Sequence, residues 1–302
     1  MNKARKISGA IPQLLARVAP FLIPSLFFQL GFLALLSPLP IFILTLKSPI
    51  WLSLAALATN LAFLASMGGH TEIAVAGFFW FAVGILFPFL IRKSGKIQLS
   101  LVLSYIYLVA ILVASLAAFA HDAKMGVVDY VHSEVSLGLD RLLAMKDGVE
   151  PFKKMIEEEG RDTVFKQFML ELPSGILMTL LISFWLNLLF ASKMLQGFLS
   201  KDFWSKFKTP EWLIWPTLAF GALYAFAENA PYYIGLNGFK VLMMAYLLQG
   251  ISILSFILNH YKIQGFARFL IYALSVTLSW PLLLGVGFFD LWFDFRSKFG
   301  QS

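Results

Sequence analysis

The residues best equipped for chemistry lie near the end of the chain, where Asp290 and Asp294 are four apart and Arg296 follows two residues later. Carboxylates at i and i+4 share one face of a helix, and the guanidinium is close enough to pair with one of them. Ionisable groups within apolar sequence are costly in lipid and mark places where a ligand or partner is met. The plainer alternative is a helix end at an interface, with its charges solvated or tying the terminus to a neighbour. Glu228-Asn229 closes another apolar run ahead of Pro231-Tyr232-Tyr233. It reads either as a loop carboxylate or as the rim of a solute site. Gln249, Asn60 and Asn187 sit well inside apolar runs, where interhelical hydrogen bonds of about 0.6 kcal/mol are the ordinary use of such amides. Gly250 lets another group approach Gln249, so a ligand contact stays open there.

Signatures of catalysis are missing. His121, Asp122, His132 and Glu134 are metal-ligating types, but their spacing matches no compact helical pair. Glu157-Glu158-Glu159 reads as a solvated face. Ser94-Gly95-Lys96 lacks the glycine loop of a nucleotide-binding P-loop, and no Gly-x-Ser-x-Gly elbow occurs. The chain has no cysteine, which excludes disulfides, thiolate metal sites and cysteine nucleophiles. The expectation is therefore no enzyme, no cofactor and no metal. A lipid-processing enzyme would have only Asp290 and Asp294 to work with.

Composition says what must position these residues. Hydrophobic residues make up 59 % of the 302 and charged residues 14 %, against about 25 % charged in soluble domains. Mean hydropathy is +0.77. The 31 Phe, 8 Trp and 9 Tyr suit lipid-facing helices with interfacial anchors. Uncharged runs cover residues 18–46, 48–69, 73–91, 97–120, 172–192, 212–227, 241–259 and 269–289. They are continuous rather than alternating, which excludes a barrel. Crossing a bilayer takes about 20 apolar residues, so the chain reads as an all-α polytopic transmembrane helix bundle with about eight full spanning helices. The first run carries Pro38 and Pro40, so one full helix to about Leu36 and a short Pro-initiated segment ending at Lys47 are expected. With two backbone donors missing, that segment must be covered by protein. Pro281 offers a similar break near the end.

Net charge is +7, with the basic residues in short clusters between apolar runs. That pattern fits the positive-inside rule and not nucleic-acid binding. Arg92, Lys93 and Lys96, then Lys193, Lys201, Lys206 and Lys208, then Lys262 and Arg268 all fall on one side if two crossings separate each cluster from the next. The basic start (Lys3, Arg5, Lys6, Arg17) joins them if the Pro segment also crosses. It reads as an uncleaved first anchor of a bacterial inner-membrane protein with a cytoplasmic N-terminus. Arg296 and Lys298 conflict with this count unless the chain turns back at Pro281.

Residues 121–170 form the one substantial polar stretch, with ten acidic and seven basic residues, between N-terminal helices (1–120) and C-terminal helices (171–302). Val135, Leu139, Leu142 and Leu143, then Phe152, Met155 and Ile156, recur at helical spacing, with Gly148 and Pro151 as punctuation. Two or three amphipathic helices forming a small outer cap are expected. A second amphipathic stretch, 195–207, is expected at the inner interface with Phe203, Trp204 and Phe207 toward lipid.

Four motifs carry a family resemblance: Pro38-Leu39-Pro40 ahead of Lys47; Leu172-Pro173-Ser174; Leu248-Gln249-Gly250-Ile251-Ser252; and Gly287-Phe288-Phe289-Asp290-Leu291-Trp292-Phe293-Asp294-Phe295-Arg296. In their order and spacing the chain resembles the YybS-like family of bacterial membrane proteins. That family is distantly similar to the substrate-binding membrane subunits of energy-coupling-factor vitamin transporters. The resemblance implies solute capture, with any ATPase or further membrane subunit supplied by separate chains. The alternative is an envelope assembly protein that docks partners through its outer cap and inner-face stretch.

Overall fold

The computed structural model describes residues 18–67, 70–144, 150–195, 197 and 203–300. The basic residues Lys3 to Arg17, Lys201 and Gly148 lie outside them. Every regular element among the described residues is helical. The chain divides into two compact units: Met1–Met169 with Thr179–Gln196, and Leu170–Met178 with Gly197–Ser302.

In the first unit, helix α1 (Val18–Phe28) ends at Phe28, ahead of the expected end at about Leu36. Gly31 adopts φ of +51°, a left-handed conformation that only glycine takes without strain. The chain then tightens into a 3-10 turn, Gly31–Leu36. Helix α2 (Leu39–Lys47) follows, with Pro38 as its N-cap and Pro40 in its first turn, where a missing N–H leaves no helical bond unmade. The expected end at Lys47 is the observed one. After Pro49 comes α3 (Ile50–Ser66). Next are α4 (His70–Phe79), a seven-residue π-helical stretch (Trp80–Leu86) and α5 (Phe87–Ser94). Helix α6 (Ile97–Asp122) leads into the amphipathic α7 (Val127–Ala144) and α8 (Glu150–Glu159). Their apolar positions turn together as expected: Val135, Leu139, Leu142 and Phe152 line one cavity, while Glu157 to Glu159 face out. Helix α9 (Arg161–Met194) follows and contains Pro173.

The second unit holds the middle of α9 and everything after residue 197. The short α10 (Phe203–Lys206) packs on α12 (Asn229–His260). Phe203, Trp204 and Phe207 are half-buried, and Ser205 and Thr209 buried, so the described part of this stretch packs against the protein on one side. Helix α11 (Ile214–Phe226) also packs on α12. Helices α13 (Gly265–Leu278) and α14 (Trp280–Phe293) meet at 92°, with Pro281 in the first turn of α14. The expected break is there. Helix α15 (Phe295–Gly300) ends the described chain.

Among the described residues four helices are long and apolar enough to cross a membrane: Glu72–Ser94, Ile97–Asp122, Arg161–Met194 and Asn229–His260. The bent pair makes a fifth if taken as one span. Among the described residues, four or five spans meet this test by length and composition where about eight are expected. Hydropathy counts apolar residues, whereas Gly31, Pro38 and Pro49 cut the first runs into pieces. What remains is 9 residues in α2, 17 in α3 and 13 in α11. At 1.5 Å per residue such helices fall short of a bilayer core of about 30 Å.

Candidate functional site

Three of the residues singled out in sequence converge in the second unit. Asp290, fully buried on α14, accepts from Arg296 Nη1 at 2.7 Å, Gln249 Nε2 at 2.9 Å and the Phe295 N–H at 3.0 Å. Arg296 also donates to the Ser205 and Phe207 carbonyls and to Ser252 Oγ, at 2.9, 2.7 and 2.9 Å. Gln249 Oε1 accepts from both the N–H and the hydroxyl of Thr209. Burial pulls the Arg296 guanidinium below its ordinary value, and Asp290 opposes that. The cluster ties residues 205–209, α12, α14 and α15 together, and every polar group in it points at another. It is built as a clasp. Gly250 does let a neighbour approach, and the neighbour is α14: a Cβ there would overlap the Leu283 carbonyl, as one at Gly287 would overlap that of Tyr246. Small residues allow such backbone contact between membrane helices.

Three other candidates fall elsewhere. Asp294 does not share a face with Asp290. Helix α14 stops at Phe293, Asp294 takes φ of +41° and its side chain is exposed. Glu228 is the exposed N-cap residue of α12. Asn60 is buried in the first unit as a brace between α3 and α1. It accepts from the Ser25 N–H at 3.1 Å and donates to the Pro20 and Ala56 carbonyls at 2.9 and 2.7 Å.

Sequence reasoning missed Asn237. Proline in a helix interior cannot supply its own N–H and crowds the preceding turn. At Pro173 the repair comes from α12. Asn237 Oδ1 accepts the Ser174 N–H at 2.8 Å, and its Nδ2 donates to the Leu170 carbonyl at 3.2 Å. Ser174 and Leu170 are the i and i−4 partners of a regular helix, so the amide bridges the two groups at the break. Lys240, about one turn on, pairs with Glu171. A polar residue just ahead of the 241–259 run was the available signal.

In the first unit the broken segment meets the π stretch. Gly84 lies so close to α2 that a Cβ would come within 3.1 Å of Ile41. Thr45 Oγ1 lies 2.9 Å from the Ile41 carbonyl and 2.8 Å from that of Gly84, while Arg92 caps the end of α2 through the Thr45 and Ser48 carbonyls at 2.8 and 2.7 Å. Trp80, fully buried, donates to Ser37 at 2.8 Å. The Leu35 carbonyl accepts from Ser183 and Asn187 of α9, each at 2.7 Å. With Ile41 and Phe42 fully buried, the segment is covered by protein, as its missing donors require. One group in this packing is unmatched. Asn187 commits its amide N–H groups to the Leu35 and Ser183 carbonyls, while its Oδ1 is buried with no donor among the described residues. The buried Ser104 hydroxyl of α6 is likewise unmatched, and its neighbour Tyr105 packs on Phe184 with ring centres 6.2 Å apart.

The family described as "Predicted membrane protein (DUF2232)" matches residues 17–291, and the chain belongs to it. The match covers the first three motifs that carry the YybS-like resemblance and the fourth as far as Leu291, and it agrees with the membrane character of the helices. No curated protein and no solved structure matches the chain.

Proposed function

We propose that this membrane protein binds a small solute within its first helical unit, as a transport-related component without an ATPase of its own. The observation that carries the reading is the junction of two irregular segments, Gly31–Lys47 and Trp80–Leu86, beside a buried, unmatched amide oxygen on Asn187. Broken helices line substrate sites in many transporters, and π stretches recur at functional sites. A buried acceptor without a donor costs about 1–3 kcal/mol, and a solute bearing an N–H or O–H would meet it. The distant resemblance to energy-coupling-factor subunits points the same way and implies separate energising subunits, while the basic clusters favour a bacterial inner membrane with a cytoplasmic N-terminus. In this reading the chain binds and does not catalyse.

The test is a thermal-stability screen of the detergent-purified protein against water-soluble vitamins, nucleobases, amino acids and lipid precursors. A ligand at 100 times its Kd adds about 2.7 kcal/mol to the folded form. A saturable shift with one chemical class, lost in Asn187→Leu, is the expected result. Flat curves from a well-folded sample would sink the reading. Partner docking is the second reading, and it draws on Val128 and Leu137 of α7, which are 75 % and 48 % exposed. Residues 205–209 offer it little, because they are held within the second unit.

A further inference from the structure

The amphipathic helices enclose a cavity of about 240 Å³ between α7, α8 and the start of α9. Its eight lining residues are all glycine or apolar, among them Gly138, Leu139, Phe152, Val164 and Phe168. Among the described residues, no lining side chain can hydrogen-bond a polar solute. The space exceeds the roughly 150 Å³ that holds a benzene ring in an engineered apolar core. Its walls are braced apart. Arg161 at the head of α9 donates to Asp140 of α7 at 2.6 Å, and His132 packs edge-on against Phe165 with centres 4.5 Å apart.

Position indicates what fills it. Phe168 lines the cavity and is still 49 % exposed. It stands one helical turn before Leu172, where the long apolar run of α9 begins. Phe168 and Leu172 are four apart, so they share a face of α9, and that face carries apolar surface from the long run toward the cavity. We infer that this cavity holds one hydrocarbon chain of a membrane lipid, taken from the adjacent leaflet. The inference rests on the cavity alone and is independent of the solute reading for the Asn187 junction.

The full chain, reconstituted in vesicles of phosphatidylethanolamine and phosphatidylglycerol, is labelled with a diazirine-bearing palmitic acid, and the labelled peptides are mapped. Expected is labelling of α7 and of 164–168 that unlabelled palmitic acid competes away. Gly138→Leu should abolish it while labelling of α6 and α12 persists. A Cβ at Gly138 meets nothing within 4 Å, and replacing a helical glycine favours the helix, so this variant fills the space without disturbing the fold. Label on α7 no stronger than on the solvated Glu157–Glu159 face would overturn the inference. So would label that persists in Gly138→Leu, or label on α7 that unlabelled palmitic acid does not compete away. Competition on the unaltered protein decides the matter even if the variant expresses poorly.

Discussion

Replacing Arg296 by methionine tests whether the clasp in the second unit is structural. The guanidinium side chain is 13 % exposed and the carboxylate of Asp290 fully buried. Methionine keeps much of the apolar stem and deletes four hydrogen bonds: to Asp290, Ser205, Phe207 and Ser252. Asp290 keeps Gln249 and the Phe295 N–H, both neutral donors. Removing one partner of a buried pair costs about 3–5 kcal/mol, because a charge is left without its counterion. Lysine should fall between, since an ammonium reaches Asp290 but cannot fork to two carbonyls and a hydroxyl at once. The double variant Asp290→Leu with Arg296→Met removes the stranded charge and should recover part of the loss. Recovery stays incomplete because Gln249 Nε2 loses its acceptor and the Ser205 carbonyl loses the Arg296 donor, while the Phe207 carbonyl keeps the Ser252 hydroxyl. Equilibrium unfolding in mild detergent, followed by tryptophan fluorescence, reads this directly, with Trp204 on α10 and Trp292 on α14. A loss below about 1 kcal/mol for Arg296→Met, the size of a surface pair, would refute the reasoning.

Three further outcomes are expected. Asn237→Leu should cost about 1–3 kcal/mol by unpairing the Ser174 N–H and the Leu170 carbonyl, and Pro173→Ala in that background should restore part of it. Gly250→Ala should cost at least about 3 kcal/mol, the upper range of overpacking, because the obstacle is backbone; the yield of folded protein reads it, with Gly285→Ala as a control whose Cβ meets nothing. Arg92→Gln should cost about 1 kcal/mol at the end of α2, seen as faster hydrogen exchange over 45–48.

Breaks made by proline were legible in the sequence. Pro38 and Pro40 start α2, Lys47 ends it and Pro281 starts α14, because the ring fixes φ and lacks a donor whatever surrounds it. Breaks made by backbone handedness were not. Gly31 ends the first helix within an uninterrupted apolar run, and Asp294 turns left-handed where spacing alone put it beside Asp290. Asp290, Gln249 and Arg296 were identifiable as polar groups among apolar ones. That they would satisfy one another depended on carbonyls of 205–207, which no side-chain pattern reveals. Asn187 was visible as an interhelical amide, but its unmatched oxygen only emerges once its neighbours are placed.

The bridge at Pro173 has a bearing on how the chain is made. Synthesis runs from the N-terminus, and the amide that completes α9 is encoded 63 residues after the gap it fills. While α9 leaves the insertion machinery, Ser174 and Leu170 are already in the chain and Asn237 is not. Until α12 is made, the Ser174 N–H and the Leu170 carbonyl lack the Asn237 amide that bridges them.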